Sequence, residues 1–568
     1  MSKLRTEKSN KLEAVVSEIE PYYSDSSREG SRWANFKDSF KRQVPSDEAN
    51  GSSGIQMQKS ISKRHLRLMA LSTGLGTGLL VAAGAKLATA GPLFLLVGYA
   101  VVGYLMLIPC INAVGELSVA YNNLPGGFQS YYRKFMDESI AFAVGWNYCF
   151  QWATVISLEL VTAGMTIRFW TTSINPDIFV LIFLIVVVLI NLAGAKGYGE
   201  AEFYMNSVKL LMLGGFIIFG IIIDCGGGPA GYIGGRYWHN PGAYTSFKGL
   251  CSVFVTSAFS LGGTEFISLS AAEQENPRQS IPAACKLVFF RITVFFLGSL
   301  ALVGLLVPYN SDKLMGSGES GTSPYVIAAQ MHGVKVIPHI FNAVILVSVT
   351  SVATAAMYSS TRLLQSLAEQ GYAPQYLNYI DRAGRPLRCW IVTILSSFFA
   401  FIATYKDQES VFTWLLSISA LSFIFTWASI DICHIRFRAA LKYNNIPLSS
   451  LGYVSSTGTI GSYISFILNI LILICQFWVS LFPIGGDGSP NALSFFQNYL
   501  GAVVLVIFYV GHKLYTRNWS LYIKVQDIDI DADRTIYDPE ILELENLESK
   551  QRFNKAPFWK KILIYCFD

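Results

Sequence analysis

The sequence predicts an all-α membrane protein that crosses the bilayer in twelve helices, and three observations predict it. Only 14% of the 568 residues are charged while 52% are hydrophobic, whereas a soluble globular chain carries about 25% charge. Several apolar runs exceed the roughly 18 residues that mark a bilayer span. These runs are continuously apolar rather than alternating, which argues against a β-barrel.

In chain order the spans fall at roughly residues 66–86, 91–120, 139–172, 176–195, 202–224, 249–272, 285–307, 335–368, 388–405, 410–433, 461–483 and 495–515. The third and eighth are long enough to be tilted. The links are mostly short, so residues 63–516 read as one twelve-helix domain between an N-terminal tail, 1–62, and a C-terminal tail, 517–568. The first tail includes "SDSSREGSRW" and "SDEANGSSG"; it lacks an apolar face and a signal peptide and is expected to be disordered. The nine cysteines are scattered with no CxxC pair, which points to small apolar fillers rather than a disulfide framework or a metal cluster.

Basic residues set the orientation. Lys63, Arg64, Arg67, Arg133, Lys134, Lys196, Arg278, Lys286, Arg382, Arg385, Arg388, Arg436, Arg438, Lys442, Lys513 and Arg517 fall on one side. The other side holds fewer: Lys86, Arg168, Arg236, Lys248, Lys313, Lys335 and Lys406. Both termini are therefore expected to be cytoplasmic. The net charge of +5 is modest, and no nucleic-acid partner is expected.

Segment 1 contains "LSTGLGTGLLVAAG", with Gly74, Gly76 and Gly78 near its middle, and segment 6 contains Gly262 and Gly263 followed by Thr264 and Glu265. Glycine costs about 1 kcal/mol relative to alanine inside a helix. The two glycine sites are five spans apart, so their helices run in opposite directions, as an inverted repeat of five plus five spans requires. Unwinding a helix in hydrocarbon leaves polar groups that each cost several kcal/mol unless a cavity satisfies them. The amides after such a break suit a carboxylate and the carbonyls before it suit an ammonium. An α-amino acid carries both groups. Glycines also serve close helix packing, but a matched break with an acid beside it favours an unwound site. "GLGTG" is not a nucleotide-binding loop, since neither a strand nor a Gly-Lys-Ser/Thr accompanies it.

Ionisable residues inside a membrane are functional candidates. Glu265, at the second break, leads as a site for a substrate amine or a proton. Lys209 either exchanges a proton or snorkels, being only about two turns into its predicted span. Glu116 reads as a structural cap or gate, and Glu159 either supports the cavity or pairs with a neighbouring helix. Glu273, Glu275 and Arg278 read as a solvated turn.

The stretches "STGLGTGLLV", "GELSVAY", "LELVTAGMTI", "AEFYMNSVKLL", "GGRYWHNPGAY", "FSLGGTEFISLSAAEQENPRQSIP", "EQGYAP" and "HIRFRAAL" resemble the fungal amino-acid permeases of the amino acid–polyamine–organocation superfamily, most closely the general and histidine-type permeases. The resemblance implies the five-plus-five fold with two added helices and proton-coupled amino-acid import at the plasma membrane, without a cofactor. It implies that the backbone at Gly76, Thr77 and Gly78 holds the substrate carboxylate, with Thr73 and Gly74 in the same break. It implies that Phe259, Ser260, Gly262, Gly263 and Thr264 face the amino group and side chain, Phe259 as an aromatic gate. Glu265 matches the family's segment-6 acid and Lys209 its segment-5 lysine for proton coupling, while Gln151 and Ser419 fall near selectivity positions. Departures at Leu75, Leu79 and Leu80 alter the pocket's shape, and the terminal "YCFD" leaves lipidation of Cys566 open.

Transport is expected, over a broad amino-acid range given the neutral Gln151. Narrow specificity and a non-transporting sensor are the alternatives; the short N-terminal extension favours transport. The six histidines form no catalytic or metal motif, so an enzyme is not expected. Membrane lipids are implied partners, and Lys3, Lys8 and Lys11 are expected targets of a ubiquitin ligase.

Overall fold

The computed structural model describes residues 38–42, 68–404 and 408–557, apart from 69, 123, 125–126, 230, 266–267, 269–276, 315–322, 539–541, 543–546, 548–550 and 552. Lys3, Lys8, Lys11, Lys63, Arg64, Arg67, Glu273, Glu275, Lys406 and Cys566 lie outside the described residues. Among the described residues the regular structure is helical apart from an isolated β-bridge between Arg42 and Asp381, and eight of the helices are long and apolar enough to cross a membrane.

The helical run α1 (Gly78–Ala120) is followed by the short α2 (Phe128–Phe135), then α3 (Glu138–Ile167), α4 (Pro176–Leu192), α5 (Gly194–Gly227) and α6 (Phe247–Leu261). Next come α7 (Pro277–Leu306), the short α8 (Pro324–Met331), α9 (Ile337–Glu369) and α10 (Leu387–Ile402). The series ends with α11 (Ser410–Tyr443), α12 (Gly458–Leu481) and α13 (Ala492–Thr516). Capping explains several starts. Asp137, Asn175, Ser246 and Asn491 each accept a backbone N–H with the side chain, satisfying a donor that has no partner within the helix.

Predicted segments 1 and 2 are not separated by a loop. The second half of segment 1, from Gly78, and segment 2 belong to the single run α1, which changes direction at Gly91, where φ is +80° and Pro92 follows. Segment 5 starts earlier than its hydropathy suggests, at Gly194, and segment 10 runs on to Tyr443. The short helices α2 and α8 fall in stretches read from the sequence only as links. Each has eight residues, too few for a span.

The core is built where α3 packs along α9 and α6 packs along α1, with α11 against α3 and α5 against α9. At the rim, α12 and α13 leave Ile460, Ile467, Leu493, Val506 and Ile507 exposed, as lipid-facing helices do.

The tails are tied to the ends of these helices. In the N-terminal tail, Lys41 O accepts from Arg382 N at 2.8 Å and Arg385 lies over the Phe40 ring. Asp38 pairs with Lys41 and Arg382, and the Lys41 hydrogen bond, with Arg382 beside it, holds its carboxyl below the usual aspartate range. In the C-terminal tail, Thr535 N donates to Ala120 O at 2.8 Å, Ile523 N donates to Met136 O at 2.9 Å, and Tyr121 donates to Ile530 O at 2.7 Å.

Candidate functional site

Both predicted breaks are present. The chain is helical at Leu71 and Ser72, turns through residues 73–76 and re-enters helix before Gly78. At the second break, α6 ends at Leu261 and residues 262–265 form turns. Gly74 has φ +81° and Gly263 has φ +84°, a region that strains residues bearing a Cβ. A Cβ on Gly74 would lie 2.3 Å from Ser260 O, and one on Gly78 would lie 2.4 Å from Ser260 Oγ. The two breaks therefore touch, and glycine is what lets them.

The exposed backbone groups at the first break have partners. Ser348 of α9 donates to Leu75 O at 2.6 Å, and Arg291 of α7 donates to Ala70 O at 3.1 Å. A second arm of Arg291 donates to Thr264 Oγ1 at 2.6 Å, so this fully buried guanidinium ties the chain before the first break to the second break. Sequence reasoning missed Arg291. The signal was an arginine six residues inside the predicted span 285–307, where a charge is expensive.

A cavity of about 100 Å³ lies against the breaks, room for several water molecules. Thr73, Gly74, Gly76, Thr77 and Gly78 line it from the first break and Phe259, Gly262, Gly263 and Thr264 from the second. Trp152, Val155 and Glu159 of α3 complete one wall, their spacing of three and four residues placing them on one helical face. Glu159 Oε2 accepts from Thr77 Oγ1 at 2.6 Å, joining α3 to the first break.

The rest of the lining carries further charged and polar groups. Glu202, Asn206 and Lys209 lie on one stripe of α5, and Ser351, Tyr358 and Arg362 lie on one stripe of α9. Lys209 Nζ donates to Ser351 Oγ at 2.7 Å, and Ser351 Oγ donates to the Glu202 carboxylate, 2.8 and 2.9 Å from its two oxygens. Tyr198 and Tyr358 stack with centroids 4.0 Å apart, and the Arg362 guanidinium lies 3.7 Å over the Tyr358 ring. Lys209 does not snorkel: its helix begins at Gly194, about four turns earlier, and it is buried. Glu202 was missed because the predicted span began there and made it look interfacial. The i, i+4, i+7 spacing of Glu202, Asn206 and Lys209 was the available signal.

Other candidates lie off the cavity. Glu265 is fully buried behind the second break, where Oε1 accepts from Tyr148 at 2.7 Å and Oε2 from Trp427 Nε1 at 3.2 Å. Ser260 shares a hydrogen bond of 2.8 Å with Tyr99, below the cavity surface. Gln151 is buried, lines no part of the cavity and has no hydrogen-bond partner among the described residues. Ser419 bonds Leu415 O in its own helix. At those two levels the cavity wall is instead Trp152 and Phe423. Glu116 lies well away, paired with Arg438 at 2.6 Å and accepting from Ser455 N at 2.6 Å, which matches a structural tie between helix ends.

Membrane-length helices enclosing two unwound segments around a largely apolar cavity with a few charged groups in its lining are the architecture of a membrane transport protein. Compared with known families, residues 65–525 match the amino acid permease family. The chain is 49% identical over 524 residues to a general amino acid permease of Saccharomyces cerevisiae, covering 91% of this chain and 82% of that protein. It is 49% identical over 517 residues to a high-affinity glutamine permease of the same yeast, covering 89% and 78%. It is 44% identical over 559 residues to that yeast's valine amino-acid permease, covering 95% and 92%. The chain belongs to the amino acid permease family, whose members are transporters and not enzymes.

Proposed function

We propose that the chain is a proton-coupled amino-acid importer of the plasma membrane, a secondary symporter working by alternating access over a broad range of amino acids. The observation that carries this reading is the pair of mutually touching breaks beside a charged wall. The first break offers the opening amides of a helix to a carboxylate, and the carbonyl end of α6 faces them. Lys209 and Glu202 stand on the same cavity as groups able to hold or release a proton.

Twelve spans in a five-plus-five inverted repeat, with both termini cytoplasmic, are the architecture we assign. The 43 residues of α1 would extend about 65 Å as one straight helix, twice a ~30 Å hydrocarbon core. A turn at Gly91 divides them, the part before it completing the span that the first break interrupts and the part after it forming the second. Gly74 and Gly263 share nearly the same φ, as two copies of one device would.

The apolar walls at Trp152, Val155, Phe259 and Phe423 grip side chains without demanding a charge, which supports a broad range. The similarity to a general permease supports it as well. Narrow selectivity is the competing reading, because the glutamine permease is equally identical.

One charge moving inward through 100 mV supplies about 2.3 kcal/mol, roughly a fifty-fold concentration ratio. The test is uptake of labelled amino acids by the purified chain in proteoliposomes under an imposed inward proton gradient. Accumulation above the external concentration, abolished by a protonophore, is the expected result. Strictly downhill entry, indifferent to the gradient, would remove the coupling.

A further inference from the structure

The hydrogen-bond count at Ser351 carries a further step, which rests on the proton-coupled reading above. A serine hydroxyl has one hydrogen and two acceptor lone pairs, and an ammonium can only donate. Ser351 Oγ therefore accepts from Lys209 and gives its own hydrogen to Glu202. Both Glu202 oxygens lie within 2.9 Å of that single Oγ, so the lone pairs between them converge on it.

We infer that Glu202 is the proton-binding site and that Ser351 is the switch that reports its state to the substrate. A proton arriving from water forms an O–H bond at Glu202, in the space the Ser351 hydrogen now occupies. Glu202 then donates to Ser351 Oγ, which already accepts from Lys209, and the neutral carboxyl is a weaker acceptor than the carboxylate, so the Ser351 hydrogen is released to turn toward a stronger acceptor. Ser351 lines the cavity, and its neighbour Val352 packs on Gly76, whose added Cβ would lie 2.6 Å from Val352 Cγ2. The freed hydroxyl turns into the cavity, which Gly76, Thr77 and Gly78 of the first break also line, and there donates to the substrate carboxylate. When the proton leaves to water on the other side, the hydroxyl swings back and the carboxylate loses a donor. Proton and substrate each favour the other by the same factor, as linkage requires.

The charged and titratable surroundings leave this arrangement to Glu202. On its own helix it has Lys209 and Tyr198, and Asn206 bonds its carboxylate. From α3 comes Glu159, bonded to Thr77. From α9 come Tyr358 and Arg362, the latter stacked on the former. Arg291 of α7 is engaged by Ala70 and Thr264, and the acid of α4, Asp177, sits in its exposed first turn.

The experiment measures KM for labelled L-glutamine and L-valine in proteoliposomes of the full chain as external pH is varied. For the native chain KM should fall as external pH is lowered, by up to about tenfold per unit for one linked proton. Glu202→Gln supplies an amide N–H toward Ser351 and holds the hydroxyl in its turned position. Its KM should stay low at every pH, changing by less than about twofold over the same range. Ser351→Ala should show a high KM with no pH dependence, and Ser351→Thr, which keeps a hydroxyl, should restore the slope. A native slope in Glu202→Gln or in Ser351→Ala overturns the inference while leaving coupled transport intact. Absence of any slope or proton flux in the native chain overturns the coupled reading itself. If Glu202→Gln does not fold, the Ala and Thr variants at Ser351 decide alone.

Discussion

Two buried acids in this protein teach opposite lessons. Glu265 sits at a break, fully buried, yet its two oxygens accept from Tyr148 and Trp427, and it does not line the cavity. Glu202 lies near a predicted helix end, yet it faces the cavity and reaches Lys209 through one rotatable hydroxyl. Burial alone does not distinguish the two, since both are buried. On the proposed reading, what separates them is the set of donors each carboxylate meets and whether it lines the cavity.

Four substitutions sharpen this contrast. The largest effect is expected from Lys209→Ala. It strips the cation from beside two buried carboxylates, Glu202 and Glu159, and removing one partner of a buried pair costs about 3–5 kcal/mol. Initial rates of gradient-driven uptake should fall by about a hundredfold or more; a rate within a few-fold of native would show the charged wall to be idle. Next is Gly74→Ala, which combines a left-handed φ with a backbone oxygen 2.3 Å from the new Cβ. A loss of about 2–4 kcal/mol is expected, read as a lower melting temperature in detergent, and an unchanged melt would mean that the breaks do not touch.

Glu265→Gln should be milder. Of the Tyr148, Trp427 and Gly263 donors that now point at two carboxylate oxygens, one meets an amide nitrogen instead. Stability should drop by about 1–3 kcal/mol, while the pH dependence of KM is preserved. Tyr148→Phe, which removes a single donor, should cost only about 1 kcal/mol in the same melting assay. A flattened pH profile in either variant would move Glu265 into the coupling machinery.

The sequence pattern carried most of the fold, because lipid leaves few ways to satisfy a backbone. Long apolar runs meant helices, and paired glycines with an acid meant breaks, which stand at residues 73–76 and 262–265. Spacing also exposed the local stripes, since Trp152, Val155 and Glu159 on α3 and Glu202, Asn206 and Lys209 on α5 repeat with the helical period. The partners across helices were not legible. Ser351 lies 142 residues from Lys209, and Trp427 lies 162 residues from Glu265. No local rule says which of several buried serines faces a given lysine, or that Gln151 turns away while its neighbour Trp152 turns in. The two breaks were visible as weak points in a helix, but Arg291 bridging them depends on a third helix arriving from elsewhere.

The contrast between the two acids is tested most directly by counting protons that enter with the amino acid. A pH-sensitive dye trapped in proteoliposomes, read against labelled uptake, gives that ratio for the native chain, Glu265→Gln and Glu202→Gln. The account predicts the native ratio in Glu265→Gln and uptake without acidification in Glu202→Gln. Proton entry lost in Glu265→Gln but kept in Glu202→Gln would contradict it.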